Sequence, residues 1–239
     1  MQHTLKLSSY QSLGACDGPS LRTVLFLYGC PLRCDYCHNP ETWTGEEFQE
    51  ETIENLVKKI QRNKPYFKNN GGVTVSGGEP LLQQEGILTL FQALNEEGIH
   101  CCIDTSACVE PTTELLALTD LFLLDIKFLS GEEYKEYTGQ DIFPSVLQFL
   151  NRTQEAQKPL WIRHVLYPNV TDHQDYIKKL LDFTQQYNHI QRLDLLPFKN
   201  ICSTKYDSMN LEFKMKDTPL THTDTVERLK SLVAEVYPR

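Results

Sequence analysis

Along the chain, short apolar runs alternate with stretches in which apolar residues recur every three or four positions. The run over 21–28, Leu-Arg-Thr-Val-Leu-Phe-Leu-Tyr, is apolar and β-branched enough for a buried strand. Residues 72–75 read as a short strand ending in Ser76-Gly77-Gly78-Glu79-Pro80, and further strands are expected over 99–104, 121–127, 160–167 and 190–197. Helical periods lie between them. Ile53, Leu56, Val57 and Ile60 recur at i, i+3, i+4 and i+7, and Ile87, Leu88, Phe91 and Leu94 mark the next helix. Helices are also expected over 112–118, around 132–137, and over 145–156 and 173–187. A polar, Glu-rich segment precedes the first helix. A looser polar stretch covers 199–223, and a last helix carries Val226, Leu229, Val233 and Val236.

Six strands separated mostly by helices imply a largely parallel sheet with right-handed crossovers. The pattern does not switch along the chain, so the expected architecture is an open, partial (β/α)6 barrel, α/β in class, with its site in the loops after the strands. A doubly wound sheet is the alternative. Nothing resembling a linker divides the sequence, and residues 1–239 are expected to form a single domain.

Composition narrows the function. A chain of 239 residues that is 40% hydrophobic and 23% charged is neither disordered nor fibrous. Its net charge of −9 weighs against binding to nucleic acid or to an anionic membrane, because like charges repel. No run approaches the ~18 apolar residues of a membrane span, and the first ten residues lack the apolar core of a secretory signal. A cytoplasmic setting is expected, where thiols stay reduced and clustered cysteines serve as metal ligands or redox groups.

Three of the eight cysteines, Cys30, Cys34 and Cys37, fall in one loop after the first strand with the spacing C-x3-C-x2-C. Three thiolates can hold an iron–sulfur cluster with one iron left open. Two other readings stay available: a zinc site of the three cysteines and His38, and the C-x-x-C-H pattern of haem attachment, which leaves Cys30 unexplained. Cys101 and Cys102 are adjacent in a strand and point to opposite faces, so they cannot chelate together; with Cys16, Cys108 and Cys202 they read as packing residues. Polar or special residues also end nearly every other strand: Gly77-Gly78-Glu79, Asp104-Thr105, Asp125 and Lys127, Arg163, and Leu196-Pro197.

The cysteine spacing, followed by Gly-Gly-Glu-Pro after the second strand, resembles the radical S-adenosylmethionine (SAM) enzymes. Within them, Asp17-Gly18-Pro19, the run Tyr36–Trp43, Asp104-Thr105, Leu124-Asp125-Ile126-Lys127, Trp161-Ile162-Arg163 and Leu195-Leu196-Pro197 resemble the pyruvate formate-lyase activating enzymes, in order along nearly the whole chain. The resemblance implies a [4Fe-4S] cluster on Cys30, Cys34 and Cys37, with SAM chelating the open iron. A 5′-deoxyadenosyl radical would then take a hydrogen from a glycine Cα of a partner glycyl radical enzyme. It further implies that Gly77 and Gly78 present backbone to the methionyl group of SAM, and that Glu79 holds the ammonium or fixes the loop. Asp104, Asp125 and Lys127 would contact the methionyl and ribose groups, Arg163 the ribose or carboxylate, and Tyr36, His38, Val165 and Leu196 would form the adenine slot. Asp104, Thr105, Asp125 and the carbonyl of Leu123 would hold a monovalent cation. The electron donor would be flavodoxin-like or ferredoxin-like. No Ser/His/Asp set or acid–base pair is needed, because the cofactors carry the chemistry.

Three positions depart from the pattern. Lys199 stands where a ribose-contacting histidine is usual, Pro19-Ser20-Leu21-Arg22 replaces Pro-Gly-Ile-Arg, and Asp104-Thr105-Ser106-Ala107 lacks the common glycine. These departures bear on which glycyl radical enzyme is the partner. Other readings are a radical SAM enzyme acting on a small molecule or nucleobase, and a zinc-stabilised binding module. The absence of cysteines between Asn39 and Gly72 matches the short form with a single cluster.

Overall fold

The computed structural model describes residues 3–43 and 48–238, and the chain folds as a mixed α/β protein. Its strands are β1 (Thr4–Gly14), β2 (Arg22–Leu27), β3 (Gln49–Thr52), β4 (Gly72–Gly77), β5 (His100–Thr105), β6 (Leu121–Asp125), β7 (Leu160–Leu166) and β8 (Ile190–Pro197). Its helices are α1 (Ile53–Asn63), α2 (Gln84–Glu96), α3 (Thr113–Leu118), α4 (Gly131–Thr138), α5 (Phe143–Glu155), α6 (Gln174–Thr184), α7 (Ser203–Ser208) and α8 (Thr223–Val236). Part of the Glu-rich segment before α1, residues 44–47, lies outside the described residues.

The strands follow the order β3-β1-β2-β4-β5-β6-β7-β8. From β2 onward this is chain order, without the reversal that defines a doubly wound sheet. The β2–β4, β4–β5 and β7–β8 pairs are parallel, and the sheet ends at β3 and β8 without closing. The open, partial barrel is borne out, with two strands added at one edge. Hydrophobic periodicity misses both. Only Leu5, Leu7 and Gly14 of β1 are buried, and its pairing with β2 is broken by two register shifts. β3 has no apolar residue at all; its ladder with β1 holds it, together with a 2.6 Å bond from the Thr4 hydroxyl to Glu50.

The chain packs as two compact units. One holds Met1–Pro31 and Glu41–Leu123, the other Leu32–Pro40 and Leu124–Arg239. In the first, β2 and β4 are buried along almost their whole length, which explains the apolar run Val24–Leu27 in β2. The apolar stripes of α1 (Ile53, Leu56, Ile60) and α2 (Ile87, Leu90, Phe91, Leu94) are buried in the same unit. In the second, β7 alternates: Leu160, Ile162, His164 and Leu166 are buried, while Trp161, Arg163 and Val165 are half-buried.

Local signals set the element ends. Thr52 caps α1 through the Asn55 N–H. Ser130 caps α4 through the Glu133 N–H, while the Glu133 carboxylate accepts from the Ser130 hydroxyl at 2.8 Å and from the Leu129 N–H at 3.3 Å. α4 stops at Gly139, whose φ of +83° closes the helix. The freed carbonyls of its last turn are not wasted: Thr138 accepts from the Arg33 N–H at 2.8 Å and Tyr137 from the Asp35 N–H at 3.0 Å, which anchors the cysteine loop of the same unit.

Candidate functional site

In the first unit the site residues gather at the C-terminal ends of β4 and β5. Gly77 has φ +112°, and a Cβ there would lie 2.3 Å from the Leu27 nitrogen. A Cβ on Gly78 would lie 2.1 Å from the Gly29 carbonyl oxygen and 3.2 Å from Cβ of Cys30. Only glycine lets this backbone approach the start of the cysteine loop. The approach is bonded, Gly78 N–H to Leu27 C=O at 2.9 Å and Glu79 N–H to Gly29 C=O at 2.7 Å.

Glu79 is fully buried. Its Oε1 accepts from the Leu81 N–H (3.1 Å) and the Thr105 hydroxyl (2.7 Å). Its Oε2 accepts from the Ser106 N–H (3.0 Å), the Ser106 hydroxyl (2.7 Å) and the Cys108 thiol (3.6 Å). Both oxygens of Glu79 are thus bonded inside the protein, to groups on either side of the loop. Thr105 is committed in the same network, and its oxygen also accepts from the Ala107 N–H at 2.9 Å. Burial, followed by the charge of Glu79, pushes the Cys108 thiol up, so it stays a donor. Asp104 accepts from the Ser76 hydroxyl at 2.7 Å and remains half-buried.

In the second unit Asp125, Lys127 and Arg163 meet. Lys127 Nζ is 3.1 Å from Asp125 Oδ2, and Arg163 Nε is 3.8 Å from Asp125 Oδ1. Burial pushes the Asp125 carboxyl up, but Lys127 and Arg163 outweigh it and hold the group below the usual carboxylate range. For Lys127 burial pulls the pKa down; Asp125 in turn raises it well above the ordinary value, so both stay ionised. Lys127 Nζ also lies 5.8 Å from the ring centre of Tyr36. Tyr36 is buried and its hydroxyl has no hydrogen-bond partner. That leaves a buried donor able to serve a ligand.

The register of β7 with β8 pairs Arg163 with Asp194 and Val165 with Leu196, so these four share one half-buried face. Arg163, Val165 and Leu196 are thus brought together as their sequence positions imply. Asp194 was not expected there, although the alternation in Leu193-Asp194-Leu195-Leu196 carries the signal. His38 is exposed, and its Nε2 donates to the Lys199 carbonyl at 2.7 Å. Lys199 therefore enters through its backbone, whichever way its side chain is used.

None of the three loop cysteines is in a disulfide. The Asn39 N–H points at Cys37 Sγ at 3.4 Å, the type of bond that steadies a thiolate ligand. Among the described residues, no three His, Cys, Asp or Glu side chains are gathered closely enough to share one metal ion. The donor set and the glycine cradle fit the cluster.

Two departures from the family pattern fall where the backbone is unusual. Ser20 and Ala107 both have φ +57°, the left-handed region in which glycine is at ease. Ser20 is compensated by a 2.8 Å bond from its hydroxyl to the Asn69 carbonyl. Among the described residues no helix is long and apolar enough to cross a membrane.

Residues 24–183 match the Radical SAM superfamily. The chain is 39% identical over 233 residues to the pyruvate formate-lyase-activating enzyme of Clostridium pasteurianum, covering 97% of this chain and 98% of that one. It is also 39% identical over 231 residues to the enzyme of the same name from Staphylococcus aureus strain USA300, with 92% of each covered. Among solved structures, Streptococcus suis SuiB bound to S-adenosylmethionine shares the fold with a TM-score of 0.60 at 17% identity, over 90% of this chain and 43% of that one.

Proposed function

The chain belongs to the radical SAM superfamily and, within it, to the family of pyruvate formate-lyase-activating enzymes, and on that premise we propose that it installs the radical of a glycyl radical enzyme, with pyruvate formate-lyase or a relative as its protein substrate. The family's cofactors are a [4Fe-4S] cluster and SAM. When bound and supplied with one electron they would supply the chemistry, reductive cleavage of SAM to methionine coupled to removal of a hydrogen atom from a glycine Cα, with 5′-deoxyadenosine and the glycyl radical as the other products.

This chain's residues bind, orient and exclude water. Cys30, Cys34 and Cys37 would hold three irons and leave the fourth for the amino and carboxylate groups of SAM. Gly77 and Gly78 would offer bare backbone to the methionyl group, held in place by Glu79 and Thr105. Asp104, Asp125, Lys127 and Arg163 would meet the charged and hydroxyl groups of the ligand, and a monovalent cation would sit among the same carboxylates and the Leu123 carbonyl. Tyr36, His38, Val165 and Leu196 would enclose adenine. A flavodoxin-like or ferredoxin-like protein would deliver the electron, in a cytoplasmic setting that keeps the thiols reduced.

The observation that supports this reading is the close approach of the Gly77-Gly78 backbone to the start of the cysteine loop, where a Cβ at Gly78 would strike the Gly29 carbonyl beside Cys30. The test is activation in vitro. Reconstituted anaerobically and given dithionite and SAM, the protein is expected to form 5′-deoxyadenosine and to raise the doublet EPR signal of a glycyl radical on its partner. SAM cleavage with no such signal on any glycyl radical enzyme offered would instead favour a small-molecule or nucleobase substrate.

A further inference from the structure

The polar stretch 199–216, which carries no strong sequence signal, is built against the cysteine loop of its own unit. The Tyr206 hydroxyl donates to the Cys37 carbonyl at 3.1 Å. Lys205 Nζ donates to the His38 carbonyl at 3.0 Å and to Asn39 Oδ1 at 3.2 Å. His38 Nε2 donates to the Lys199 carbonyl at 2.7 Å, and Lys214 Nζ donates to the Asp35 carboxylate at 2.7 Å. The bonds thus run to Asp35, Cys37, His38 and Asn39.

The stretch has a small core of its own. Cys202, Tyr206, Phe213 and Met215 are buried, the Tyr206 and Phe213 rings stack at 4.6 Å, and Phe198, just before the stretch, lies 6.4 Å from the Phe213 ring. A six-residue helix such as α7 is too short to be stable alone, so this packing and the loop bonds must hold it. Because α4 grips Arg33 and Asp35 from its C-terminal turn, the loop is fastened along its length by two separate elements.

We propose that the 199–216 stretch is a latch on the cysteine loop, with Tyr206 and Lys205 as positioning residues that hold the backbone of Cys37–Asn39 in its cluster-binding form and slow the loss of iron. This rests on the cluster reading above for its second half only; the latch itself is a statement about the loop. Each bond should be worth roughly fivefold in the opening equilibrium of the loop.

Two readouts separate the two ideas. In hydrogen exchange on the full chain without cluster, amides of residues 33–39 should exchange roughly fivefold faster in Tyr206→Phe and in Lys205→Met than in the parent. Lys205→Arg should restore protection. Lys216→Met, which removes only an exposed pair with Asp207 in the same stretch, should leave it unchanged. In the reconstituted protein the same two variants should release iron to a chelator faster by a similar factor, with an altered EPR signal of the reduced cluster. Exchange at 33–39 equal to the parent in both Tyr206→Phe and Lys205→Met overturns the latch. Faster exchange together with no uptake of iron and sulfide would leave the latch standing and overturn the cluster reading.

Discussion

The two ends of the parallel sheet in the first unit each bury a charge, and they do so in opposite ways. At the start of β2, Arg22 is fully buried. It donates to the hydroxyl of Thr74, to the carbonyls of Pro19, Asn70, Val73 and His100, and to His100 Nδ1, at 2.6–3.2 Å. At the far end, Glu79 accepts from two backbone N–H groups, two hydroxyls and a thiol. Among the described residues neither charge is in an ion pair. A buried charge is tolerable when hydrogen bonds replace the water it has lost. The difference lies in who supplies them. Arg22 relies mainly on backbone oxygens, which any sequence would offer once the strands are in register. Glu79 relies on the side chains of Thr105, Ser106 and Cys108, so the sequence at the end of β5 is tied to the glycine loop at the end of β4. One end is scaffold, and the other is a site whose shape is held by its neighbours.

Removing the charge at each end should separate these roles. Arg22→Met strands several buried oxygens and should cost roughly 3–5 kcal/mol of stability in urea unfolding, while the protein that remains folded keeps its SAM affinity. A third buried group sharpens the contrast. His164 is given one partner, the Ile126 carbonyl at 2.8 Å, and its Nε2 has none. Burial pulls its pKa down to about 4, and so it stays neutral. As pH falls below ~6.5 the unfolded chain takes up this proton first, so stability is complete above that pH and declines towards pH 4, by up to about 3 kcal/mol. His164→Phe should flatten this acid limb in unfolding measured across that range; an unchanged slope would show that His164 is not the group responsible.

Glu79→Gln is expected to cost less stability, about 2 kcal/mol, because an amide can satisfy only part of the donor set. Its SAM affinity, measured by equilibrium dialysis on the reconstituted protein, should still fall roughly tenfold. If Arg22→Met weakened SAM binding as much as Glu79→Gln, the distinction between scaffold and site would be lost. The smallest effect belongs to Ala107→Gly. Relieving φ +57° next to the Glu79 network should raise stability by about 0.5–1 kcal/mol in thermal unfolding.

What the sequence made legible follows the range of the forces. β2 and β6 stand out because burial along their length demands unbroken apolar runs, Val24–Leu27 and Leu121–Leu124, whereas β7 shows itself by alternation. Asp104 and Asp125 are marked as carboxylates at the ends of apolar strands, and Arg163 as a charge on the half-buried face of β7. β3 is silent: its Gln49-Glu50-Glu51-Thr52 is held by a ladder with β1 and not by burial. The bonds of Glu79 to Thr105, Ser106 and Cys108 and those of Tyr206 and Lys205 to the cysteine loop are equally hidden, since these partners lie 26 to 169 positions apart and no period connects them.

The central claim concerns where the abstracted hydrogen comes from, and isotope transfer tests it most directly. The partner glycyl radical enzyme is prepared with glycine deuterated at Cα and activated anaerobically with SAM and reductant. Deuterium is then sought by mass spectrometry in the 5′-deoxyadenosine released. The account predicts deuterium in the product, formed in step with the glycyl radical. Unlabelled 5′-deoxyadenosine from a chain that cleaves SAM in the presence of that partner would contradict it.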